Sequence, residues 1–153
     1  TQGKPLEFAL MEEERDDSVY LGPHWHGVER MIQTENSVVA WMRLPAAFAE
    51  EVSSFRYHPS LTDAALNLPI QAAAGGELYL PYMYGGLRVY GRIPGSFYSR
   101  VERVDGKPGA DTMTYRARFT DDAGRLLASV EKYVVKKVTQ LSGYAANEFY
   151  ELQ

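Results

Sequence analysis

Most of this chain alternates apolar and polar residues with a period of two, and one segment does not. The clearest alternation runs through residues 112–119, where Met113, Tyr115, Ala117 and Phe119 fall on one side and Thr112, Thr114, Arg116 and Arg118 on the other. That period predicts a strand with one buried face and one wet face. The stretches YLPYMYGGLRVYG, SFYSRVERV and RLLASVEKYVVKKV are equally rich in Tyr, Val and Phe and read as further strands. Glycine-containing turns are predicted at 91–95, 105–109 and 121–124. Upstream, NSVVAWMRLP, bounded by Asn36 and Pro45, is a strand, and LGPHWHGVERM is a Gly-Pro turn leading into apolar residues. Leu6, Phe8 and Leu10 alternate as an entry strand, the acidic run 12–17 reads as a loop, and 46–54 as a short polar connection. The exception is HPSLTDAALN: Pro59 has a preset φ and no amide hydrogen to leave unpaired, so it starts a helix. Pro69 cannot donate to the carbonyl of Ala65 and should end or kink that helix.

A sheet with a single apolar face has to be covered, and one largely apolar helix is the available cover. The expected fold is therefore α+β, a curved antiparallel sheet wrapped around one central helix, which is the hotdog arrangement. The last four strands are expected as a meander. The pattern fades after Val138, so residues 1–139 are expected to form the domain and 140–153 a tail or linker.

Composition narrows the function. The 153 residues carry 16 Lys+Arg against 20 Asp+Glu, a net charge of -4, which lacks the basic footprint of a nucleic-acid binder. There is no apolar run of the roughly 18 residues a membrane helix needs, so no membrane partner is expected. Cysteine is absent, which removes thiolate chemistry and agrees with a reducing cytoplasm. The chain starts at Thr1, as an excised part of a longer polypeptide would.

Two helix residues could carry chemistry. Asp63 and Asn67 are four apart and share one helical face. A carboxyl on a mostly apolar helix is costly to ionise, so burial favours the protonated acid, while the nearby helix N-terminus favours the anion. The alternative is that Asp63 merely satisfies a loop amide. His24 and His26 offer two imidazoles with no third ligand close in sequence, and no metal is expected. Arg116, Arg118, Lys132, Lys136 and Lys137 read as a wet strand face, with an acidic protein as the other possible reading.

The segment HPSLTDAALN resembles the HPALLDAALQ segment of polyketide synthase dehydratase domains. LGPHWHGVERM, VVAWMRLP, LPYMYGGLRVYGRIPGSFYSRVE and FTDDAGRLLASVEKYVVKKV resemble flanking segments of the same family in the same order, from about Leu21 to Val138. In that family two hotdogs make one catalytic unit, the first supplying a histidine from H-x-x-x-G-x-x-x-x-P and the second an aspartate from D-x-x-x-Q/H. The resemblance is to the second, C-terminal hotdog: His24 and His26 lack the required Gly and Pro offsets, and His58 belongs to the HP pair itself. It implies elimination of water from a β-hydroxyacyl thioester on the phosphopantetheine of an acyl carrier protein, with no further cofactor. Asp63 would protonate the departing hydroxyl, Asn67 would orient the Asp63 carboxyl or the leaving water through its amide, and the histidine that takes the α-proton would come from an N-terminal hotdog. Leu21, Pro23, Tyr82, Tyr84 and Gly85 are the candidate tunnel lining, with plain sheet packing and a bulge at the glycine pair as the alternative. Two positions depart from the pattern: Asn67 is one methylene shorter than glutamine, and Leu21 stands where the family often has tyrosine, with Tyr20 one residue away. These leave room for an isomerase, a cyclase, a branching domain or a non-catalytic acyl-binding hotdog. An isolated half would expose the face meant for its sister, so a homodimer is also expected.

Overall fold

The computed structural model describes residues 4–6, 22–69 and 77–138. Seven antiparallel strands form one sheet: β1 (Lys4–Leu6), β2 (Val28–Gln33), β3 (Ser37–Arg43), β4 (Tyr79–Val89), β5 (Ser96–Asp105), β6 (Thr112–Thr120) and β7 (Leu126–Lys137). Their spatial order is β1-β2-β3-β5-β6-β7-β4. The helix α1 (Pro59–Leu66) buries Leu61, Ala64, Ala65 and Leu66, and after a break at Asn67 the chain is helical again at Leu68 and Pro69. The inner face of the sheet supplies Met42, Phe97, Val101, Met113, Phe119 and Val135 to the same core, with the Phe97 and Phe119 rings 4.9 Å apart. The α+β hotdog architecture expected from the pattern is thus present, and in β6 Met113, Tyr115, Ala117 and Phe119 are the buried residues.

The helix is short for a local reason. Pro59 occupies its first turn and the chain leaves helical geometry at Asn67, two residues before Pro69. The carbonyl of Ala65 has lost its normal donor at Pro69 and instead accepts from the buried Ser99 hydroxyl of β5 at 2.9 Å. A helix end that would leave an unpaired carbonyl inside the core is tied to the sheet.

Three expectations are corrected. Residues Ala46–Ser54, read as a short polar connection, wind into a 3-10 stretch, and the Gly-Pro turn does the same over Pro23–Trp25, which holds His24. The four last strands are not a simple meander, because β4 pairs with β7 at the sheet edge while β5 lies beside β3. The predicted turn at 91–95 carries the chain across instead, pinned where the Arg92 guanidinium donates to the carbonyls of Val52, Ser53 and Phe55 at 3.1, 2.9 and 2.7 Å. Glycine and proline there announce a reversal but not the partner strand. The register shift in β4 falls between Pro81 and Met83, not at the glycine pair. Proline cannot donate to a ladder, which makes it a natural place for the shift. Of the expected entry strand, Leu6 lies in β1; Phe8, Leu10, the acidic run and the tail lie outside the described residues.

Candidate active site at the aspartate of the central helix

Asp63 is half-buried, and its Oδ2 accepts a hydrogen bond from the indole Nε1 of Trp25 at 2.9 Å. Pro23 opens the turn that presents Trp25. Directly after it, Gly27 lets the backbone pass over α1: a Cβ there would lie 2.6 Å from Leu61 Cδ1 and 3.3 Å from the Arg43 carbonyl. An indole nitrogen can only donate. Oδ2 therefore presents a lone pair, and because a carbonyl oxygen accepts better than a hydroxyl oxygen, this bond favours the neutral acid that carries its proton on Oδ1.

Asn67, at the C-terminus of α1, donates its backbone N–H to the Asp63 carbonyl at 3.0 Å. Its side-chain Oδ1 accepts from the Tyr133 hydroxyl of β7. With the carbonyl end so engaged, the amide NH2 is the end left to face a ligand. Tyr133 is fully buried and stacks on Tyr84 of β4, ring centroids 5.0 Å apart and 13° between planes. Burial, the neighbouring Tyr84 and the charge of Asp63 push the Tyr133 hydroxyl well above its ordinary range, and burial then Asp63 push Tyr84 the same way. Both phenols keep their protons at neutral pH, and that of Tyr133 is donated to Asn67.

The structure thus gathers Asp63, Asn67 and Tyr84 from the expected set. It adds Trp25 and Tyr133, which sequence reading missed. Tyr133 carries a signal in hindsight, a polar tip at a buried strand position, whereas nothing in LGPHWHG says that Trp25 meets a residue 38 positions away. Tyr82 instead stands two-thirds exposed with the Lys136 ammonium 5.6 Å from its ring, and a Cβ at Gly85 would meet Lys132 Cβ only at an ordinary contact distance of 3.4 Å, so no close approach requires glycine there. Pro23 is exposed and acts through its turn; Leu21 lies outside the described residues. Along the open edge of β4, Leu80, Tyr82, Tyr84 and Leu87 are 44 to 67% exposed, so the cluster borders an uncovered apolar edge. Among the described residues no group of three His, Cys, Asp or Glu is arranged to hold a metal, and no helix is long and apolar enough to cross a membrane.

Comparison with known proteins agrees with this fold. The chain is similar to mycoketide-CoA synthase of Mycobacterium tuberculosis, 30% identical over 125 residues, which are 82% of this chain and 3% of that protein. It is also similar to polyketide synthase PksN of Bacillus subtilis, 24% identical over 130 residues, 83% of this chain and 2% of the relative. The chain therefore corresponds to a small part of each. Among solved structures, the bifunctional dehydratase-cyclase domain of ambruticin biosynthesis superposes with a TM-score of 0.78 at 23% identity, covering 90% of this chain and 48% of that one. The dehydratase domain from the CurJ module of curacin polyketide synthase gives 0.70 at 18% identity, covering 78% and 44%. These likenesses share the fold, and in each the chain spans about half of the solved domain. A family model described as "Polyketide synthase dehydratase N-terminal domain" matches residues 12–143. By that match, the chain belongs to the polyketide synthase dehydratase family.

Proposed function

We propose that this chain is the aspartate-bearing, C-terminal hotdog of a dehydratase domain and that Asp63 is its general acid. The observation that carries the reading is Asp63 itself: one oxygen is held by Trp25, and beside it stand Asn67, Tyr84 and Tyr133 at an uncovered edge. The family model's description names the N-terminal domain. The residues favour the other half, since none of the three histidines has Gly four positions on or Pro nine positions on. The histidine-bearing hotdog would then cover the apolar edge of β4.

The substrate is a β-hydroxyacyl thioester on the phosphopantetheine arm of an acyl carrier protein, in the cytoplasm. The partner hotdog's histidine removes the α-proton, the Cα electron pair becomes the Cα–Cβ double bond, and the β-hydroxyl leaves with the Oδ1 proton of Asp63 as water. The Asn67 amide donates to the departing oxygen, and Tyr133 keeps that amide aimed. A proton delivered in the transition state by a positioned acid contributes typically 10²–10⁴-fold in rate. The test is reconstitution. Alone, the chain leaves a carrier-bound β-hydroxyacyl substrate unchanged; joined to a histidine-bearing hotdog, it yields the α,β-enoyl thioester. A shifted alkene or a cyclic ether as the product would move the assignment to an isomerase or to a cyclase such as the ambruticin domain combines with a dehydratase. Turnover by the isolated chain would remove the need for a partner histidine.

A further inference from the structure

Three segments, one of them 27 positions upstream of Glu51 and one seven positions downstream, meet at its carboxylate beside the site. Glu51, on the Ala46–Ser54 stretch, places Oε1 3.2 Å from Nε2 of His24 and Oε2 3.1 Å from Nε2 of His58. His24 belongs to the turn that presents Trp25, and His58 is the residue immediately before α1. The second nitrogen of His58, Nδ1, is paired with the Ser60 hydroxyl at 3.0 Å. His58 is only 6% exposed, so each of its ring nitrogens needs the partner it has. The aromatic surroundings fix the two rings: His24 stacks on Phe48 at 3.5 Å between centroids, lies 6.2 Å from His58 and nearly parallel to it, and Phe55 meets His58 edge-on at 5.1 Å. The hydrogen bonds from His58 and then His24 hold Glu51 below the usual carboxylate range, so it is ionised at neutral pH and accepts from both.

What this clamp joins is the turn and the helix start. Trp25 follows His24 directly, and Asp63 lies five residues beyond His58, so the relative placement of His24 and His58 sets the reach of the indole to Asp63. A single carboxylate bridging both rings fixes that placement. We infer that Glu51 is a positioning residue: by bridging His24 and His58 it holds the Trp25 indole on Asp63 Oδ2 and so keeps the acidic proton on Oδ1. The inference rests on Asp63 as the acid for its catalytic consequence, but the hydrogen bond it controls can be observed without turnover.

The probe is the indole N–H resonance of Trp25, assigned with Trp25→Phe; Trp41, the other tryptophan, sits on β3 against Tyr98 and reports folding in the same spectrum. In the otherwise unaltered chain, Asp63→Asn shifts the Trp25 resonance. With Glu51→Gln already present, Asp63→Asn shifts it little, because the indole is no longer held there. In the complete two-hotdog domain Glu51→Gln lowers kcat about tenfold with KM nearly unchanged, as misplaced groups do. An undiminished response of Trp25 to Asp63→Asn in the Glu51→Gln background overturns the proposal. So does loss of dispersion at Trp41 as well, since Glu51 would then hold the fold rather than the site. If Asp63→Asn leaves dehydration intact while Glu51→Gln still uncouples Trp25, the clamp stands and the acid assignment falls.

Discussion

Replacing Tyr133 with Phe removes one hydroxyl and leaves the rest of the ring. The ring is fully buried, packed on Tyr84 at 5.0 Å and near Tyr115 at 6.3 Å, and phenylalanine keeps both contacts. What disappears is the bond to Asn67 Oδ1. Asn67 is half-buried, so water can take over part of the role, and the loss is that of an ordinary neutral hydrogen bond, about 0.5–1.5 kcal/mol. For a domain of this size that lowers Tm by about 1–6 °C. If the same bond keeps the Asn67 amide on the leaving oxygen, its loss in the transition state lowers kcat by about two- to tenfold with KM little changed. The assays are thermal unfolding of the chain and steady-state dehydration by the complete domain, each repeated in an Asn67→Ala background. There the Tyr133→Phe change should add nothing, because the partner is already gone. Wild-type kcat in Tyr133→Phe, or full additivity with Asn67→Ala, would refute the claim that Tyr133 acts through Asn67.

Two further outcomes are expected. Glu51, Glu77 and Asp121 are all held below the usual carboxylate range, first by the hydrogen bond of His58, the hydrogen bond of Lys137 and the backbone N–H of Arg125 respectively. For each, the unfolded chain binds more protons in acid, so stability present near neutrality is lost progressively as pH falls below about 5; melting curves against pH should show this, and Glu77→Gln with Asp121→Asn should flatten the decline. Leu61→Ala empties the space directly beneath Gly27, where Leu61 is 1% exposed, and should cost about 3 kcal/mol and about 6–12 °C in Tm. Gly27→Ala should be damaging in the wild type and cost less in the Leu61→Ala background.

Sequence legibility tracked the range of the interaction. Pro59 starts α1 and the period of two lays out β6 because both depend on a few neighbouring residues. The same holds for Asp63 and Asn67, whose spacing puts them on one helix. The place of β4 was not legible: the residues that end it encode a turn, and the choice of β7 over β5 depends on pairing across 39 to 58 positions. Tyr84 was among the expected residues, but Trp25 and Tyr133 failed to show for the same reason, since Trp25 reaches Asp63 across 38 positions and Tyr133 reaches Asn67 across 66. His58 read as part of a helix-start motif, and only the fold reveals that it shares Glu51 with His24.

The central claim, that Asp63 delivers the proton to the departing hydroxyl, is tested most directly by Asp63→Asn in the complete two-hotdog domain. The rate of water loss from a carrier-bound β-hydroxyacyl substrate is followed by mass in a single turnover, alongside the unaltered domain. Asparagine keeps the shape and can still accept from Trp25 but has no acidic proton, so elimination should slow by about 100-fold or more while carrier binding and Tm stay close to wild type. Elimination at the unaltered rate by Asp63→Asn would contradict the account.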